Sequence, residues 1–207
     1  INATGVWAAD IDPQISLRPS RGTHLVLSPE SFAEDGANLT AGLTVPVPGS
    51  SSRFVFALPS PEGFVYLGIT DEDAPGAIPD VPVASDQEID FLLDTINSAI
   101  NNPLSRKDII GSFSGLRPLL NVEQESGGTA DISRKHAVIT SADGITTIVG
   151  GKLTTYRRMA EDGIDHALAE FAGHAGSPLE AGPCQTKRLP LVGAAPRREI
   201  AAIDAPR

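Results

Sequence analysis

Short runs of β-branched and aromatic residues, turn residues placed between them, and two long stretches with helical periodicity predict an α+β fold. The expected architecture is a mixed, mostly antiparallel sheet with two main helices. Residues 23–27, 39–45, 53–58 and 64–70 read as strands, and Pro59, Pro61 and Gly63 supply the turn geometry for a hairpin between the last two. Ser85 and Glu88 have capping-box spacing, and Ile89, Leu92, Leu93, Ile96 and Ile100 recur on one face of the helix that follows. Pro103 ends it. Residues 108–117 return to strand character and stop at Pro118. Two β-branched runs, 135–140 and 145–149, flank an Asp143-Gly144 pair, a strong hairpin signal. A second helix starts at or just after Lys152, carries Leu153, Tyr156, Ala160, Ile164, Ala167, Leu168 and Phe171 on its apolar face, and closes near Gly173. The tail beyond it is rich in Gly, Pro and Ala and reads as linker.

Composition narrows the function. With 207 residues and 41% hydrophobic content, the chain is expected to be soluble and globular, as one large or two small domains. No apolar run approaches the roughly 20 residues that span a bilayer, and no secretory signal is expected. One cysteine, Cys184, offers no disulfide framework and fits a reducing compartment. A net charge of −10 argues against nucleic-acid binding, and no metal site is expected. The clustered cations Arg117, Arg134, Lys152, Arg157 and Arg158 fall near the ends of predicted elements, where a site or a solvated surface could equally collect them. Residues 1–7 read as the tail of a buried strand entering a turn, so the chain is expected to be a piece of something longer.

The most informative junction is Gly150-Gly151-Lys152, where an apolar strand meets two glycines and then a helix. Glycines let backbone approach a ligand, and the N–H groups and positive dipole end of the helix face it. Spacing alone leaves two readings, an anion- or cofactor-facing seat and a plain strand-to-helix turn, since neither phosphate-loop pattern is matched.

Six segments in order settle that choice: Asn2-Ala3-Thr4-Gly5-Val6-Trp7, Arg21-Gly22-Thr23-His24-Leu25-Val26, Gly68-Ile69-Thr70-Asp71, Ser114-Gly115-Leu116-Arg117-Pro118-Leu119, Ser133-Arg134, and Gly150-Gly151-Lys152-Leu153-Thr154-Thr155-Tyr156-Arg157. Together they resemble the FAD-dependent, quinone-linked glycerol-3-phosphate dehydrogenases, within the group of FAD oxidoreductases that includes D-amino-acid oxidase. That family opens with a Gly-x-Gly-x-x-Gly pyrophosphate turn and ends with a helical domain. Neither is in this sequence, and Gly127-Gly128 and the glycines at 173 and 176 lack the strand-turn-helix context. The resemblance therefore covers the middle of the enzyme. It implies that 1–22 is the end of an FAD-domain strand and its connection, 23–140 the substrate-binding sheet domain, 141–175 an FAD-domain strand and helix, and 176–207 a linker.

By the same resemblance, Ala3, Thr4, Gly5, Trp7, Gly150, Gly151, Lys152, Leu153 and Thr154 would contact FAD, with 150–153 beside the pyrimidine edge, where reduction leaves negative charge. Packing remains the other reading of Trp7, and plain helix capping that of Thr154 and Thr155. Arg117 and Arg134 match the family's substrate arginines, whose planar forks suit a phosphate, and Lys152 would join them. His24 matches a histidine facing the substrate and could accept the hydroxyl proton; Arg117 could instead polarise that oxygen. His136 falls close enough to Arg134 to line the same site. Lys135 departs from the family pattern, in which an acidic residue follows the arginine.

The implied activity is oxidation of glycerol 3-phosphate to dihydroxyacetone phosphate by hydride transfer to FAD, with electrons passed to a quinone by a cytoplasmic enzyme peripherally attached to the membrane. An oxidase releasing hydrogen peroxide, and another hydroxy- or amino-acid oxidase of the same fold, are the alternatives. The isolated chain is expected to be a structural piece that does not retain FAD.

Overall fold

The computed structural model describes residues 1–34, 38–50, 52–121, 135–172 and 181–200, and internal contacts divide the chain into two units, Ile1–Gly151 and Lys152–Arg207. In the first unit lie α1 (Ala8–Ile11), β1 (Ser20–Leu27), β2 (Leu43–Pro46), β3 (Phe54–Pro59), β4 (Val65–Gly68), β5 (Glu72–Asp73), α2 (Asp86–Asn97), β6 (Ile109–Arg117), β7 (His136–Thr140) and β8 (Thr146–Gly150). The second holds α3 (Tyr156–Ala172) and α4 (Arg197–Ile200).

The six-stranded sheet runs β2-β3-β4-β1-β5 with β6 on the other edge of β1, and every pairing is antiparallel. β1 is the hub. β6 accompanies it from the Ser20–Arg117 pair to Leu27–Ile109, with a register shift at Val26/Leu27. The expected hairpin between β3 and β4 forms, closed by Ser60 N–H to Phe64 O at 2.8 Å and Gly63 N–H to Ser60 O at 3.0 Å. β7 and β8 make a separate two-stranded sheet around the Asp143-Gly144 turn, where Gly144 N–H reaches Ser141 O at 2.9 Å. Asn2 joins β8 as an isolated parallel bridge to Thr147, the parallel element of the mixed sheet pattern.

Strand alternation sends one side of the large sheet inward. Leu25, Leu27, Val45, Val55, Ala57, Val65 and Leu67 are buried against Leu92, Leu93 and Ile96 of α2 and against Leu104. The capping box at the start of α2 is complete: Ser85 Oγ accepts from Glu88 N–H at 3.2 Å, and the Glu88 carboxylate accepts from Ser85 N–H at 2.9 Å. The helix stops at Asn97, short of Ile100, because the Asn97 side chain closes a turn on both the N–H and the carbonyl of Leu104 (2.8 and 2.9 Å). Ile100 still packs against the core from that turn. β2 likewise starts later than its apolar run, at Leu43.

In the second unit, a 3₁₀ turn (Leu153–Thr155) leads into α3. Its expected apolar stripe is covered only in part: Ala167 and Leu168 are partly buried, whereas Leu153 is 88% exposed and Tyr156, Ile164 and Phe171 are about half exposed. Arg157 and Arg158 pair with Glu161 and Asp162 one turn along (2.8–3.1 Å), so these cations belong to the helix surface. Nearly every described side chain of the tail, 181–200, is exposed, Ala195 being partly covered, and the tail holds the single turn of α4.

Replacing Leu92, fully buried under the sheet, by alanine should cost about 2–5 kcal/mol through the cavity it leaves. Val83→Ala, at a residue 70% exposed, should cost less than about 0.5 kcal/mol. Urea unfolding of the two variants measures the contrast.

Candidate functional site

The face of the sheet turned away from α2 carries the candidate residues His24 and Arg117. Along β1, Thr23, Leu25 and Leu27 point to the buried side, so Gly22 and His24 occupy the opposite one. A line of cross-strand neighbours, Phe56, Gly68, His24 and Phe113, crosses that face at one level. The His24 imidazole lies flat over Gly68, where an added Cβ would stand 2.3 Å from its Cδ2. On the other side the Phe113 ring stacks on the imidazole at 5.0 Å and 14°, and Tyr66 meets Phe113 edge-on at 5.9 Å. The histidine is therefore fixed in plane by a bare backbone and an aromatic ring.

Arg117, at the end of β6, is held next to it. Its guanidinium lies over Gly22, with Nη2 2.4 Å from where a Cβ would be. Nη1 donates to Ser20 Oγ at 3.1 Å and to Asp71 Oδ1 at 3.3 Å, and Nη2 donates to the Thr70 carbonyl at 3.3 Å. The arginine side chain is 24% exposed and Asp71 9%. Burial, and then the Arg117 charge, hold the His24 pKa below the ordinary value near 6.5, so the imidazole is neutral at neutral pH and able to accept a proton.

Under the sheet, Thr70 and Thr23 anchor this corner. Thr23 N–H donates to Thr70 Oγ1 at 2.9 Å, and both hydroxyls donate to Glu88 Oε1, at 2.8 Å from Thr23 and 2.7 Å from Thr70. Arg21 Nε reaches Glu88 Oε2 at 2.8 Å.

The expected cofactor segment at the start of the chain is held against β8, and its Gly5–Trp7 turn also contacts β6. Asn2 is 3% exposed and stitched to β8 through Asn2 N–H to Thr146 O (2.7 Å) and Ile148 N–H to Asn2 O (2.9 Å). Its Nδ2 donates to Ala8 O and Thr147 Oγ1, and Thr4 Oγ1 donates to its Oδ1 at 2.6 Å. Gly5 has φ +63° with no heavy atom within 4 Å of a Cβ position, so a flat ligand can reach its backbone. Gly150 and Gly151 are both left-handed (φ +78° and +75°). A Cβ at Gly150 would press to 2.8 Å from the Lys135 carbonyl, so that glycine is required by the hairpin itself. Trp7 is 45% exposed, and Thr155 Oγ1 closes the following turn by accepting from Lys152 N–H (3.2 Å) and donating to Lys152 O (2.9 Å). An approachable Gly5 beside a strand rich in backbone contacts fits the edge of a dinucleotide cofactor.

Of the expected site residues, the structure brings His24 and Arg117 together. His136 lies opposite Gly150 in the two-stranded sheet. Arg134 lies outside the described residues, as do the Gly127-Gly128 pair and the glycines at 173 and 176. Lys152, Leu153 and Thr154 are exposed at the start of the second unit. The sequence alone pointed to no site role for Ser20, Asp71, Tyr66 or Phe113, and to a helix cap only for Glu88. A signal existed for Asp71, inside a quoted segment, but not for Phe113, whose place depends on the β1–β6 register.

A nuclear magnetic resonance titration should find His24 charging below pH 6.5, and Arg117→Met should raise its pKa without restoring it fully, because burial is the larger cause. With a depressed folded-state pKa, the stability held by neutral His24 is complete above its unfolded pKa and is lost as pH falls through the folded one. An unshifted His24, or one indifferent to Arg117→Met, contradicts the described geometry.

The model of the family described as FAD dependent oxidoreductase matches residues 1–157. A glycerol-3-phosphate dehydrogenase of Mycobacterium tuberculosis is 54% identical over 196 residues, covering 94% of this chain and 36% of that protein. A mitochondrial glycerol-3-phosphate dehydrogenase of Arabidopsis thaliana is 35% identical, over 93% of this chain and 29% of its own length. Among solved structures, the glycerol-3-phosphate dehydrogenase of Bacillus halodurans complexed with FAD aligns with a TM-score of 0.66 at 29% identity, over 82% of this chain and 32% of that one. The chain thus spans about a third of the length of these relatives. No helix among the described residues is long and apolar enough to cross a membrane. The matched family model, the sheet carrying His24 and Arg117, and the FAD-bound structural neighbour agree: the chain belongs to the FAD dependent oxidoreductase family.

Proposed function

We propose that the protein carrying this chain oxidises sn-glycerol 3-phosphate to dihydroxyacetone phosphate. The observation that supports it most is a neutral, plane-locked histidine beside a guanidinium on one open sheet face, in a chain 54% identical to a mycobacterial glycerol-3-phosphate dehydrogenase. Bound FAD would supply the acceptor for the hydride leaving C2 of the alcohol. Its edge would be held by Ala3, Thr4, Gly5 and Trp7 and by Gly150, Gly151, Lys152, Leu153 and Thr154.

The remaining work falls to side chains. Loss of hydride from C2 must be matched by loss of the hydroxyl proton, and His24 is the group to take it, since it stays uncharged at neutral pH. Arg117 binds the anionic end of the substrate through its planar fork, with Arg134 and Lys152 adding positive charge. Arg117 also keeps His24 deprotonated, so one cation serves both binding and proton transfer.

A quinone as the electron acceptor, and peripheral attachment to the inner face of the cell membrane from the cytoplasm, complete the proposal. The dehydrogenase names of the relatives favour this over an oxidase.

Anaerobic mixing of the flavin-loaded protein with glycerol 3-phosphate should bleach the flavin, and a dye or quinone analogue should restore it without peroxide. Unbleached flavin overturns the proposal, and stoichiometric peroxide replaces the dehydrogenase by an oxidase. Arg117→Ala should lower kcat/KM for glycerol 3-phosphate by roughly 10- to 100-fold, the worth of a charged hydrogen-bonding pair, with little change for glycerol. Equal losses for both substrates remove the phosphate-binding role. The 207-residue chain on its own should purify without stoichiometric flavin, which absorbance after gel filtration reads directly.

A further inference from the structure

We infer that Glu88, buried on the far side of the sheet from the site, is a positioning residue that sets the Arg117 guanidinium; this rests on the phosphate-binding reading of Arg117 given above. The Glu88 side chain is 1% exposed. Its carboxylate accepts from Arg21 Nε (2.8 Å), Thr23 Oγ1 (2.8 Å), Thr70 Oγ1 (2.7 Å), Ser85 N–H (2.9 Å) and Ser85 Oγ (3.0 Å). A capping box needs only the two-way exchange with Ser85. The other three donors come from the two segments that hold Arg117.

Those segments are Ser20–Thr23 at the start of β1 and Thr70-Asp71 just after β4. The first supplies Ser20 Oγ to the guanidinium and the glycine on which it lies; the second supplies the Thr70 carbonyl and the Asp71 carboxylate. Arg21 and Thr23 tie the first segment to Glu88, and Thr70 ties the second. Thr70 is bonded on every side: its N–H to Thr23 O (3.4 Å), its hydroxyl to Glu88 and Thr23, its carbonyl to Arg117. One carboxylate therefore fixes the spacing between both halves of the arginine's cradle. Burial alone would raise the Glu88 pKa, but hydrogen bonds from Ser85, Thr70 and Thr23 bring it below the usual carboxylate value, so the anchor is charged throughout the neutral range. The N-terminal end of α2 adds its own preference for an anion there.

Glu88→Gln keeps the size and the capping geometry while replacing one acceptor oxygen by an amide donor. Thr70→Val cuts only the links from the Thr70 hydroxyl, leaving its carbonyl and the Arg21 and Ser85 contacts in place. Both are made in the flavin-loaded protein that contains this chain and checked by thermal unfolding.

Each should raise KM for glycerol 3-phosphate roughly 5- to 20-fold, with kcat within about twofold and turnover of glycerol unchanged, as expected when uniform binding is lost. Reaction of Arg117 with phenylglyoxal, followed by peptide mass spectrometry, should speed up several-fold in both variants as the guanidinium is released. Unchanged labelling and KM in a folded variant overturn the inference. So does an equal loss for both substrates without a change in labelling, which assigns Glu88 to stability alone. Faster labelling with equal losses for both substrates leaves the positioning role standing and removes instead the phosphate-binding role of Arg117.

Discussion

The structure depends on the alternation of β1, a strand paired along both edges. Its residues cannot change face without a register slip that would bury Gly22 and His24 and expose Leu25 and Leu27. Burial of Leu25 and Leu27 under α2 therefore does more than stabilise the fold. The same apolar packing that stabilises the core sets His24 on the open face, level with Gly68 and Phe113. A site built on a central strand inherits the rigidity of the core beneath it.

Two glycines take the part that larger side chains take in a conventional pocket wall. At Gly22 and Gly68 the absent Cβ is filled by a functional side chain from a neighbouring strand: Arg117 over the first, His24 over the second. In both places backbone forms the floor. An imidazole lying on a bare strand is partly desolvated without being enclosed, which is why burial contributes most to its lowered pKa while the ring keeps access to a ligand.

The elements that rest on local chemistry were legible in the sequence: the Ser85–Glu88 cap, the turn at Asp143-Gly144, and the hairpin closed at Ser60 and Gly63. So was the family, because its six segments keep their order. What stayed hidden is non-local. Phe113 faces His24 only through a register of 89 residues' separation in sequence, given by their Cα pairing. Glu88 carried a complete local explanation as a cap, which concealed its bonds to Thr23 and Thr70. For α3 the error ran the other way: a helical period was real, but periodicity alone cannot say how much of its stripe will be covered, and Tyr156, Ile164 and Phe171 remain open. Arg157 and Arg158 drew attention as clustered cations, yet their acidic partners stood one turn further along.

The described contacts of Arg117 orient its guanidinium through longer bonds than those of two surface ion pairs. The surface pairs Arg18–Asp73 and Arg106–Asp86 both close to 2.7 Å, the range of a strong charge-assisted bond, whereas Arg117 meets Asp71 only at 3.3 Å. Its other described acceptors, Ser20 Oγ and the Thr70 carbonyl, are uncharged. They orient the guanidinium and cancel none of its charge. That charge is felt at His24, whose pKa it lowers, and the same field is available to an anion arriving over the sheet. Had Asp71 closed to a tight bidentate pair, more of the positive charge would be matched within the protein, and its effect on His24 and its attraction for any anion would weaken together. Among the described contacts, orientation by two neutral acceptors, with Asp71 at 3.3 Å, favours both.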